Sequence, residues 1–172
     1  MFFAVLTMFF IADKNGIAPV AILFSALHEF GHFLALLCVK TKAKEIKLSA
    51  FGIEIFLPES LSTEKKIAVL MAGFTANFIF AAVFFLMEKP VFACINFIIG
   101  TATAIPIAST DGGGILKIIL EEAFLEKGER IFKKISIFLS FLLSAFIILL
   151  SVFTKNFFLL IAVAYIFIAA IK

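Results

Sequence analysis

The chain predicts an all-α membrane protein, a polytopic bundle of about six transmembrane helices with a short β-hairpin at the membrane surface. Three observations predict it. The 172 residues are 63% hydrophobic, against roughly 45–50% in an average soluble domain. Apolar runs recur along the chain, several of them near the roughly 20 helical residues that a bilayer core requires. Short polar or charged connections separate them, and helices satisfy their own backbone hydrogen bonds in lipid. By length this is one domain, residues 1–172.

Six apolar stretches follow in order. Phe2–Ala12 is too short to span without tilt or a thinned bilayer. It ends in the polar turn Asp13-Lys14-Asn15-Gly16 and lacks the basic start and small-residue cleavage site of a signal peptide. The second stretch, Ile17–Val39, is interrupted in its middle only by Ser25 and the cluster His28-Glu29-Phe30-Gly31-His32. Residues 44–57 then alternate apolar and charged positions on both sides of Phe51-Gly52, the pattern of a hairpin with a strand edge open to an extended peptide. Ile67–Met87 and Pro90 to about Thr110 are the third and fourth stretches. Between there and Arg130, Glu121, Glu122, Glu126 and Glu129 lie among lysines, which predicts a solvated cytoplasmic helix. Ile131–Phe153 and Phe157–Ile171 complete the set.

If all six stretches cross, Lys14, Lys89 and Lys155 share one side, and the other twelve of the 15 basic residues share the opposite one. The positive-inside rule makes the richer side cytoplasmic, with both termini there. The net charge of +3 therefore reports topology rather than nucleic-acid binding, for which soluble basic segments with polar or aromatic readers are lacking. Cys38 and Cys94 lie in apolar stretches and suggest no disulfide framework.

The chemistry is concentrated in the second stretch. His28-Glu29-Phe30-Gly31-His32 is an H-E-x-x-H motif, and it holds both of the chain's histidines. On a helix, His28 and His32 stand one turn apart on one face, the spacing of a zinc-binding pair. Glu29 lies about 100° round the helix, beside a metal rather than on it, where a general base belongs. Ionisable side chains inside a span are costly and mark a functional site. Catalytic zinc takes three protein ligands and keeps one position open, so a carboxylate or thiolate must join the histidines. Asp111, in Thr110-Asp111-Gly112-Gly113-Gly114 at the end of the fourth stretch, falls towards the same membrane edge as His32. Its flanking glycines permit close backbone approach and break the helix; a solvated aspartate in a helix-ending turn is the alternative. Cys38 lies off the face of His32. Gly73 and Asn77, four residues apart, fit ordinary close helix packing.

HEFGH within a span, then Ala72-Gly73-Phe74-Thr75-Ala76-Asn77, then Pro106 ahead of Asp111-Gly112-Gly113, resembles the site-2 protease family of intramembrane zinc metalloproteases. The resemblance covers residues 17–116, the expected catalytic core, with 131–171 as accessory spans. With Ala50-Phe51-Gly52 and no inserted PDZ domain, the chain is most similar to the sporulation branch, which processes a membrane-tethered pro-sigma factor. The resemblance implies one zinc ion held by His28, His32 and Asp111, a water activated by Glu29, and contact of Asn77 with substrate or oxyanion. It also implies a membrane-tethered substrate, a pro-sigma or anti-sigma factor, in a bacterial cell membrane. The chain departs from the family pattern at Thr103, where an asparagine is usual at the substrate or oxyanion position, and at Ala108, where a second proline is common. Thr103 keeps a hydroxyl but not the amide's paired donor and acceptor.

Two other classes compete. A metal transporter would show further ligand clusters along a pathway or a repeated half, and the sequence has neither. A non-catalytic scaffold of the same fold would have lost the base or a ligand, whereas Glu29 and all three candidate ligands are present.

Overall fold

The computed structural model describes residues 16–41, 44–48, 53–56, 58, 60–155, 160 and 163. These are nearly all helical. Helix α1 (Ile17–Cys38) precedes two short strands, β1 (Glu45–Leu48) and β2 (Ile53–Phe56). Then follow α2 (Thr63–Leu86), α3 (Pro90–Ala104), α4 (Asp111–Phe124) and α5 (Glu126–Thr154). The chain forms two compact units that divide between Thr103 and Ala104. Phe2–Ala12, the Phe51-Gly52 tip and, apart from Leu160 and Val163, the sixth apolar stretch lie outside the described residues.

Among the described residues, three helices are long and apolar enough to cross a membrane: α1 from Pro19, α2, and α5. The fourth apolar stretch, expected to run as one span from Pro90 to about Thr110, does not. Helix α3 stops at Ala104 after 15 residues, about 22 Å of rise against a hydrocarbon core of roughly 30 Å. Pro106 is the reason: it disfavours helical geometry at Ile105 and has no N–H to give to the preceding turn. The glutamate-rich segment also differs from expectation, because no single helix carries it. It is shared between the end of α4 and the start of α5, with Leu125 at φ 50° as the joint. Exposed i,i+4 pairs Lys117–Glu121 (3.7 Å) and Glu129–Lys133 (3.0 Å) decorate the two sides of that joint. The fifth stretch accordingly begins at Glu126 rather than Ile131.

In the first unit, β1 and β2 pair antiparallel with Glu45 opposite Phe56 and Leu48 opposite Ile53. Helix α1 starts at Gly16, whose φ of 69° a glycine adopts without penalty, and it tolerates Pro19 because first-turn N–H groups have no helical partner. Its buried stripe is Phe24, His28, His32 and Leu36, spaced by four, while Leu23, Phe30, Phe33, Leu34 and Leu37 point outward. Helix α2 buries Val69, Gly73, Asn77 and Ala81, and α3 buries Ala93, Asn96 and Gly100. In the second unit, α5 buries Phe132 and Ser136, Ser140, Ser144 and Ser151. The polarity is inverted relative to a soluble fold: small and polar residues face in, and large apolar ones face out. That is how helices associate in lipid, where burying apolar surface gains little and close packing with hydrogen bonds holds the bundle.

Gly31 marks a close approach of α1 to α2. A Cβ there would lie 2.7 Å from the Ala72 carbonyl oxygen and 2.9 Å from Ala76 Cβ. Gly31→Ala is therefore expected to destabilise the protein by about 1–3 kcal/mol through overpacking. The midpoint of unfolding in mixed micelles measures this, and an unchanged midpoint would show that the helices do not meet at this glycine.

Candidate metal centre

The spacing of four places both imidazoles on the buried face of α1, and each is only 5% exposed. Helix α2 supplies a partner for each ring. His28 Nδ1 donates to Asn77 Oδ1 at 2.7 Å, and His32 Nδ1 donates to the Val69 carbonyl at 2.7 Å. A backbone carbonyl can only accept, so the Val69 contact makes Nδ1 of His32 the protonated nitrogen. In a neutral ring, Nε2 is then the lone-pair nitrogen, the form in which imidazole ligates metals. The two Nε2 atoms converge at 3.2 Å, with the rings nearly edge-on to each other.

Gly73 makes this convergence possible. A Cβ at that position would collide with His32 Nε2 and sit 2.6 Å from His28 Nε2. Packing alone suggested this glycine from the sequence. It proves to be the floor under both candidate ligand atoms, a role that sequence shows only once α1 and α2 are laid against each other.

Asp111 does not end a helix. It occupies the first position of α4, after the irregular segment 105–110. Thr110 caps that helix by accepting from the Gly113 N–H at 3.1 Å, and its hydroxyl donates back to the carbonyls of Ile105 and Ile107. Gly112 and Gly113 do not break the helix; they let its first turn sit on that segment. A Cβ on Gly112 would collide with the Ala104 carbonyl, and one on Gly113 with that of Ile107. A carboxylate in the first turn is also favoured by the helix dipole.

His28 and His32 belong to the first unit and Asp111 to the second, and these are the residues that could hold a metal ion. Two imidazole nitrogens and one carboxylate oxygen make a donor set that suits catalytic zinc, with a fourth position left to water. Glu29 is half-buried on the adjoining face of α1. The Thr103 hydroxyl donates to the carbonyls of Ile99 (3.0 Å) and Gly100 (3.2 Å) in its own helix. Asn77, fully buried, gives its amide to three protein partners: His28, the Phe24 carbonyl and Asn96. Cys38 and Cys94 are both exposed.

A buried polar constellation inside a bundle of membrane-length helices defines a class of membrane protein with a candidate metal centre. The solved structures narrow it. The chain superposes on a site-2 protease from Methanocaldococcus jannaschii with a TM-score of 0.72, covering 98% of this chain and 84% of that one at 20% identity. It therefore has the site-2 protease fold. No protein-family model matches the sequence, and no curated protein matches it.

Gly73→Ala is expected to push both imidazoles off their present positions and to weaken zinc binding at least about tenfold, with helix content unchanged. Competition with a fluorescent zinc chelator, beside far-UV circular dichroism, reads both quantities. Unaltered affinity would show that the ligand nitrogens do not rest on Gly73. Thr110→Ala should cost about 1 kcal/mol by removing the cap that presents Asp111, read as a lowered unfolding midpoint.

Proposed function

We propose that the chain is a zinc-dependent intramembrane endopeptidase of the site-2 protease family. The observation that carries this reading is the convergence of the His28 and His32 Nε2 atoms at 3.2 Å on the buried face of α1, with Glu29 next to the first of them in sequence. The shared fold supports it. In this reading His28, His32 and Asp111 hold one zinc ion, which when bound lowers the pKa of a water towards 7 and polarises a scissile carbonyl.

The remaining steps belong to the chain's own residues. Glu29 takes the attacking water's proton on a carboxylate oxygen and delivers it to the leaving amide nitrogen. The low-dielectric surroundings of α1 strengthen that exchange by excluding bulk water. A transmembrane substrate helix must unwind before its backbone is open to attack, and an extended segment can be held by strand addition along the β1–β2 pair. Thr103, near the end of α3, is assigned in this reading to substrate contact through its oxygen. The substrate class is a membrane-tethered regulatory protein, for which the sporulation branch's pro-sigma factor is the pattern. The apolar helices support a cell-membrane location, and the positive-inside rule puts both termini in the cytoplasm if every apolar stretch crosses.

Protein purified in detergent without chelators should carry about one zinc per chain, and Asp111→Ala should lose it or bind it far more weakly. Glu29→Gln should keep the metal while cleavage of a transmembrane-segment reporter falls by about 10²–10⁴. Absence of zinc from the unaltered protein would sink the protease reading in favour of a scaffold of the same fold. Metal uptake into proteoliposomes would instead favour transport.

A further inference from the structure

Three helices converge on His28 through two buried amides, and the direction of every hydrogen bond among them is fixed. The carbonyl oxygens of Phe92 and Phe24 can only accept. Asn96 Nδ2 donates to the Phe92 carbonyl at 2.9 Å, which turns Asn96 Oδ1 towards Asn77. Asn77 Nδ2 donates to that oxygen and to the Phe24 carbonyl, each at 3.2 Å. Its Oδ1 must then face His28, and Nδ1 of His28 must carry the proton shared across 2.7 Å. Turning the Asn77 amide over would set its oxygen against two other oxygens. Both asparagines are 0% exposed, so water cannot repair such a mismatch.

We infer that Asn77 and Asn96 are positioning residues, a buried two-amide relay that holds His28 in its Nδ1–H tautomer and so reserves Nε2 as the ligand atom. This rests on the metal-centre reading but assigns Asn77 a different task from contact with substrate or oxyanion. Both N–H bonds of its amide are already spent on Asn96 and Phe24. The two histidines differ in how they are governed. His32 Nδ1 meets the Val69 backbone, which no side-chain replacement removes, whereas His28 Nδ1 meets the side chain of Asn77. Partners beyond the ligating atoms commonly set ligand orientation and basicity. Here that setting reaches from α1 across α2 to α3.

The chain's two histidines make the test direct, because [15N]histidine labelling gives a spectrum of two residues. Metal-free protein in detergent, held at about pH 8.5, above the ordinary histidine range, should show protonated Nδ1 and bare Nε2 in both rings. In Asn77→Leu, His28 should shift towards the Nε2–H form while His32 does not move, and zinc affinity should fall about tenfold or more. Asn77→Asp keeps an acceptor for His28 and should retain its Nδ1–H form, while its second oxygen, set against those of Phe24 and Asn96, should lower the unfolding midpoint. An oxyanion donor would not be replaced by a carboxylate, so this variant separates the two roles. Should Asn77→Leu fail to fold, Asn96→Leu, which does not touch His28, should move the same signal in the same direction.

An unchanged His28 pattern in the leucine variants, or loss of the Nδ1–H form in Asn77→Asp, would overturn the relay. The spectra need no metal. Failure of the unaltered protein to bind zinc would therefore count against the protease reading and leave the tautomer result standing.

Discussion

The hydrogen bond between Asn77 and His28 ties the architecture to the site. It exists only because α1 and α2 approach closely enough for a short amide to reach an imidazole across the gap. That approach depends on Gly31 against Ala72 and Ala76, and on Gly73 beneath the two rings. Buried without partners, the asparagine and histidines would each cost several kcal/mol in an apolar interior. Joined, they satisfy one another and help to fix the register of the two helices. The aromatic contacts of Phe24 with Phe84 and Phe92, at ring separations of 5.4 and 5.9 Å, close the same junction from one end.

The second unit solves a different problem, the presentation of a carboxylate at a helix start. An irregular segment would leave backbone groups without partners at membrane depth, and this one satisfies them internally. Ile107 N–H meets the Ile105 carbonyl at 2.8 Å, Thr110 N–H meets that of Ile107 at 3.0 Å, and Ala108 N–H donates to Ser136 Oγ at 2.8 Å. Irregular backbone is tolerated in a membrane protein only where it is enclosed in this way or lines a watery cavity. Pro106 and Thr110 thus act together: one ends α3, and the other begins α4 with Asp111 at its head.

Much of this was legible in the sequence, and the reasons are specific. The i,i+4 spacing of His28 and His32 survives any detail of packing, because helix geometry alone puts them on one face. The long apolar runs of α1, α2 and α5 announced themselves by length and composition. The end of α3 was not read correctly, since hydropathy runs on smoothly past Ala104 and only Pro106 marks the break. The role of Gly73 was hidden for a different reason. A glycine's neighbours across a helix interface are set by tertiary contact, which one chain's periodicity does not contain. Asn96 carries no motif of its own, and its link to Asn77 depends on a meeting of residues separated by 19 positions in sequence.

The inverted arrangement of side chains sets how such a sequence can diverge. Outward positions such as Leu23, Phe33, Ile79 and Phe138 meet only a disordered solvent of hydrocarbon, which distinguishes poorly among leucine, isoleucine, valine and phenylalanine. Inward positions are held by size and hydrogen-bond geometry, at a few glycines, serines and amides. Substitutions therefore accumulate over most of each helix without disturbing its path. A TM-score of 0.72 beside an identity of 20% is the outcome expected where narrow stripes of residues suffice to set one fold.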